Sequence, residues 1–163
     1  MNAIPYLLML ILVAAFQALL RPFSSFFGIS INLPMLLVLM VAWRKTELLT
    51  LWFACGVAIV ASAGTPLTMG WQVLFTAAIA VAVFYGKGRL NADSLAAQLS
   101  VLFAGVFVHN ACTLVIERAD NLPYQLWRTA MGGAVYTLAL VAVVFYLRDY
   151  ILGLTRKQAA SER

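Results

Sequence analysis

Between Glu47 and Lys87 the chain carries no charged residue. Residues 48–63 form one apolar run and residues 71–86 a second. Between them Gly64, Pro66 and Gly70 supply turn chemistry. A soluble helix needs a polar face toward water, and neither run has one. The stretch therefore reads as a helical hairpin in lipid, each arm about 24 Å long. Small residues recur at helical spacing, Ala54, Ala58 and Ser62 on the first arm and Ala78, Ala82 and Gly86 on the second. Lipid-embedded helices gain little by exchanging lipid tails for one another, so association depends on the close approach that small residues permit. The expectation is that this hairpin forms the tightly packed centre of the molecule.

Composition extends the reading to the whole chain. Of its 163 residues 64% are hydrophobic and 10% charged, where soluble domains carry about 25% charged residues. Residues 1–152 are expected to make one transmembrane domain, with spans near 4–20, 33–43, 48–63, 71–86, 95–116 and 132–152. Residues 153–163 make a polar tail. The fold class is all-α, a polytopic six-helix bundle. The net charge of +5 does not indicate nucleic acid, because the basic residues sit mostly between apolar runs. With six spans, Arg44, Lys45, Lys87, Arg89, Arg148, Arg156, Lys157 and Arg163 share a side, whereas the other side holds only Arg21, Arg118 and Arg128. The positive-inside rule then makes both termini cytoplasmic. The first apolar run lacks the basic start and cleavage site of a signal peptide, so it is expected to be a retained span.

Local signals mark the ends of these spans. Asn32 ahead of Pro34 is a helix start with Asn32 as N-cap. The helix that follows, 33–43, covers only about half of a bilayer core. Asp93 or Ser94 can cap the span at 95–116. Asn121 before Leu122-Pro123 starts a further helix, and Leu122, Leu126 and Trp127 would share a face. That pattern predicts a short amphipathic surface helix leading into the sixth span. Cys55 and Cys112 fall inside apolar runs and read as small buried thiols. Trp43, Trp71 and Trp127 lie where interfacial aromatic belts are expected.

The chemistry inside the spans is sparse. A single histidine excludes bis-histidine haem and multi-histidine metal sites within one chain. The acidic residues lie in loops or at span ends, which argues against a proton-coupled pump. No protease motif and no phosphate-cradling loop occurs, so no enzyme, cofactor or metal is expected. His109-Asn110 is the most conspicuous polar pair, and it reads either as an interhelical hydrogen bond or as a contact to a solute or a partner's helix. Gln17 is read in the same two ways. Phe23, Phe26 and Phe27 form an apolar patch that is either core or a docking surface.

Taken together, Gln17 at the end of span 1, Asn32-Leu33-Pro34, the basic turn Arg44-Lys45, Gly56 and the turn from Gly64 to Gly70 resemble the rod-shape-determining MreD family. The likeness covers roughly residues 10–90. It implies a non-catalytic scaffold subunit of the cell-elongation complex in the bacterial inner membrane. It further implies a bitopic partner of MreC type and, through it, the actin-like MreB and the cell-wall synthases. A fold similar to the substrate-binding subunits of energy-coupling-factor vitamin transporters is implied as well. Homo-oligomers are compatible with this reading. The alternative is a solute-binding subunit, with a pocket near the outer face built from Gln17, His109, Asn110 and the 64–70 turn.

Overall fold

The computed structural model describes residues 4–15, 31–89, 94–117, 121–143 and 146. Every regular element among them is helical: α1 (Ile4–Ala15), α2 (Leu33–Arg44), α3 (Glu47–Ala61), α4 (Met69–Gly86), α5 (Leu95–Ile116) and α6 (Leu122–Val143). Among the described residues three helices are long and apolar enough to cross a membrane: Met69–Gly86, Ala96–Ile116 and Leu122–Val143. Large apolar side chains face outward on all the long helices, with Trp52 72% and Val143 58% exposed. Such a surface suits lipid rather than water.

The centre of the bundle is α2. It has 12 residues, of which Pro34, Met35, Leu36, Val38, Leu39, Val41 and Ala42 are buried. Met35, Leu36 and Leu39 pack with Leu102 and Val106 of α5 and with Ala134 and Val141 of α6. Val38 and Val41 pack on the other side with Val13 of α1, Phe53, Ala54 and Val57 of α3 and Ala80 of α4. A helix apolar on every face is stable only when it is surrounded, and a short one surrounded by protein need not match the bilayer. Gly105 makes the closest approach possible, since a Cβ there would stand 2.7 Å from a Leu39 methyl. The expectation that the hairpin would be the packed centre is corrected accordingly.

The hairpin itself forms, with α3 and α4 side by side. Its first small-residue stripe faces inward, with Ala54, Ala58 and Ser62 all buried. The second does not. Ala78 and Ala82 are exposed, and Thr76 and Ala80 turn inward instead. Because α4 is alanine-rich on several faces, small-residue periodicity alone cannot select its buried register. α1 runs parallel to α3, with the Tyr6 ring edge-on to Phe53 at 6.2 Å and Leu10 against Gly56.

Two further features bear on the site. Residues 122–131 do not form a separate surface helix; they continue into α6, with Leu126–Met131 wound as a π-helix. Nothing between 124 and 131 breaks the helix, and the wider turn takes up the change of register. The helix starts at Leu122, where the Asn-Leu-Pro signal puts it, and its N-cap Asn121 is left-handed, φ 52°, with no side-chain cap. At the opposite end, Lys87 Nζ donates to the Ala42, Trp43 and Lys45 carbonyls at 2.9, 3.3 and 3.2 Å and lies over the Phe84 ring. This closes the C-terminus of α2, whose last carbonyls have no partner within the helix. Desolvation there lowers the pKa of the Lys87 ammonium below its ordinary value.

Candidate functional site

The N-terminus of α2 is a polar junction. Asn32 caps the helix through Oδ1, which accepts from the Met35 N–H at 3.1 Å. That bond fixes the amide's orientation, so Nδ2 points the other way. Asn32 Nδ2 stands 3.0 Å from His109 Nδ1 and donates to Asn110 Oδ1 at 2.7 Å. Because Nδ2 is a donor only, His109 Nδ1 must accept, which places the ring proton on Nε2. The Asn32 backbone N–H donates to Thr137 Oγ1 at 3.2 Å. A single residue thereby ties α2 to α5 and to α6.

Beside this junction lies a cavity of ≈ 320 Å³. It opens at the end that carries the 64–70 turn, where α2, α4 and α6 begin and α3 and α5 end. Exposed Gly64, Thr65 and Glu117 form its rim. His109 lies two helical turns below Glu117, about 12 Å deeper by helical rise. One wall is polar, built from Gln72 and Thr76 of α4, His109, Asn110 and Thr113 of α5 and Thr129 of α6. The apolar part of the lining comes from Val57, Ala58 and Ala61 of α3, with Ile31, Pro34 and Leu114.

Several of the polar groups keep capacity unused by the protein. Thr76 lines the cavity and is only 3% exposed as a residue; no buried side-chain oxygen or nitrogen among the described residues lacks a partner, so its hydroxyl, which makes no bond to the protein, is open to the cavity space. Asn110 spends its carbonyl on Asn32 and retains its Nδ2 donors. His109 retains Nε2–H. Gln72 donates weakly to Thr68 Oγ1 at 3.4 Å, which leaves Oε1 available. Thr113 donates to the His109 carbonyl and Thr129 to Gln125 Oε1, so the oxygen of each can still accept. Among the described residues no group of three or more His, Cys, Asp or Glu is placed to hold a metal ion.

His109 and Asn110, singled out in the sequence, thus meet at the cavity wall together with Gly64 and Thr65 of the turn. Gln17, Phe23, Phe26 and Phe27 lie outside the described residues. Gln98, on the same helix face as His109 by spacing, lies at the far end beside Met40, Trp43 and Arg44. Cys55 and Cys112 are free thiols and only partly buried. Sequence reasoning missed Gln72, Thr76 and Thr129, and it took Asn32 as a cap and as part of the Asn32-Leu33-Pro34 pattern, with no link to His109. A signal did exist: Gln72 and Thr76, like His109 and Thr113, are polar pairs four residues apart inside apolar spans, hence on one helix face. No family model matches the chain, and neither a curated protein nor a solved structure is significantly similar to it.

Proposed function

We propose that the chain is a non-catalytic, multi-pass subunit of the bacterial inner membrane, a scaffold of MreD type in the cell-elongation complex that binds a bitopic partner of MreC type. Six crossings with both termini cytoplasmic, and a bundle similar to vitamin-transporter binding subunits, belong to this reading. The observation that carries it is the Asn32 junction. Polar side chains at membrane depth are used to bind helices together, as in a rigid structural part, while the outward faces stay apolar and suited to a partner's helix. Affinity purification from membranes in mild detergent tests it. A bitopic protein with a coiled-coil segment, through which an actin-like filament protein and cell-wall synthases are recovered, is the expected result. Purification that yields no bitopic protein would reject the scaffold reading.

A second reading is favoured by the cavity, that of a membrane subunit that holds a small solute near the outer face. A scaffold needs no open space lined by polar side chains with hydrogen-bonding capacity to spare, and such space is what a ligand site requires. Mass spectrometry of the denatured, purified protein tests it by looking for a co-purifying compound.

A further inference from the structure

We propose that the cavity takes a compact, uncharged solute that carries both hydrogen-bond donors and acceptors on an apolar ring, of the class of amide-bearing rings. The proposal rests on the solute-binding reading of the same cavity and names its ligand chemistry. Size is the first constraint, because ≈ 320 Å³ lies at the small end of the range for drug-sized ligands, roughly 300–1,000 Å³.

The polar and apolar parts of the lining set the complementarity. On the polar side Asn110 Nδ2 and His109 Nε2–H can donate, Gln72 Oε1 can accept, and the Thr76 hydroxyl can do either. A ligand edge with only donors or only acceptors would leave some of these groups unpaired. A mixed edge such as a carboxamide satisfies both kinds. Val57, Ala58 and Ala61 of α3 add methyl groups at one-turn and near-one-turn spacing, a surface for the face of a ring.

Charge is the second constraint. Among the described residues the charged side chain on the cavity wall is Glu117, an exposed carboxylate at the rim. Among the described residues that line the cavity below it there is no cation to replace the hydration an anion would lose, and stripping an unpaired charge of water is costly. Anions are disfavoured both by this loss and by the rim. A purely apolar molecule is disfavoured because, in filling the cavity, it would cover the Thr76 hydroxyl and the Asn110 amide without pairing them. The π-helical stretch that carries Thr129 to the cavity adds weight, as such turns recur at functional sites.

Nicotinamide and nicotinate make matched probes, with one ring and nearly one shape but a neutral amide against a carboxylate. Toluene is the apolar control. Binding is measured on the full chain purified in detergent, by calorimetry and by the shift of the thermal midpoint. The proposal expects saturable binding of nicotinamide at least about tenfold tighter than of nicotinate or toluene. It expects Thr76→Val to weaken nicotinamide about fivefold and Thr76→Ser to restore it. Asn110→Leu serves as an independent variant with the same expectation. Equal or tighter binding of nicotinate or toluene, or nicotinamide affinity untouched by both Thr76→Val and Asn110→Leu, overturns the ligand class while leaving a solute site standing. An anionic or purely apolar compound in the denatured extract does the same, and a neutral amide-bearing one supports the class. If none of the three probes binds and the extract holds no compound, the solute-binding reading falls together with the proposal.

Discussion

Replacing Asn32 by alanine removes a helix cap and two interhelical hydrogen bonds in one step. The cap, Oδ1 to the Met35 N–H, belongs to a class worth about 1 kcal/mol. The bonds from Nδ2 to His109 and Asn110 join α2 to α5, and interhelical bonds of this kind average about 0.6 kcal/mol each in membrane proteins. Asn32→Ala should therefore destabilise the protein by about 2 kcal/mol. Asn32→Ser separates the contributions, because its hydroxyl can still cap Met35 but is too short to reach α5. Its expected cost is about 1 kcal/mol, the interhelical part alone. The assay is reversible unfolding in mixed micelles titrated with sodium dodecyl sulfate and followed by far-ultraviolet circular dichroism. An alanine variant within about 0.5 kcal/mol of the natural protein would refute the reasoning, since the cap alone exceeds that. A serine variant as unstable as the alanine one would show that the residue acts through reach and not through capping.

Other substitutions probe the same packing. Gly105→Ala places a Cβ 2.7 Å from a methyl of Leu39, which is fully buried and must shift to receive it; it should cost about 1–3 kcal/mol in the same assay, partly recovered by adding Leu39→Val. Gly86→Ala, whose new methyl meets nothing within 4 Å, should be neutral or slightly stabilising. Lys87→Met removes the donor to three carbonyls at the end of α2 and should cost about 1 kcal/mol, visible as faster amide exchange near residues 41–45. Alkaline phosphatase fused after Arg163 should be inactive if both termini are cytoplasmic, and an active fusion would overturn that topology.

How far the sequence revealed this arrangement varied with the range of the forces involved. Local rules served well. The start of α2 at Leu33 with Asn32 as cap, and the span Leu95–Ile116 capped by Ser94, follow from short-range hydrogen bonding and from apolar run length. The hairpin was legible for the same reason, since nothing charged interrupts it. What the sequence hid was set by partners far along the chain. Asn32 meets His109 and Asn110 across 77 and 78 positions, and no local pattern encodes that pairing. The central place of α2 was partly visible, because a helix too short to span lipid and apolar on all sides has to be enclosed by protein. The inward face of α4 was not visible at all, as alanine at 77, 78, 80 and 82 offers competing registers of equal size. The continuity of α6 depended on a π-helical turn over Leu126–Met131, a mixed stretch with Arg128 and Thr129 in which such a turn leaves no local signature.

The enclosure of α2 is the claim on which the junction, the cavity and the packing predictions all depend. It is tested most directly by cross-linking α2 to α5 in native membranes. With Cys55→Ala and Cys112→Ala as background, the pair Leu39→Cys and Gly105→Cys brings two thiols together where a Cβ at 105 lies 3.4 Å from Leu39 Cγ, within reach of a disulfide. A mild oxidant should join this pair, as detected by the altered migration of the intact chain, and should leave Trp52→Cys with Gly105→Cys unjoined because Trp52 faces outward. Failure of the first pair to link, or equal linking of the second, would contradict a bundle built around α2.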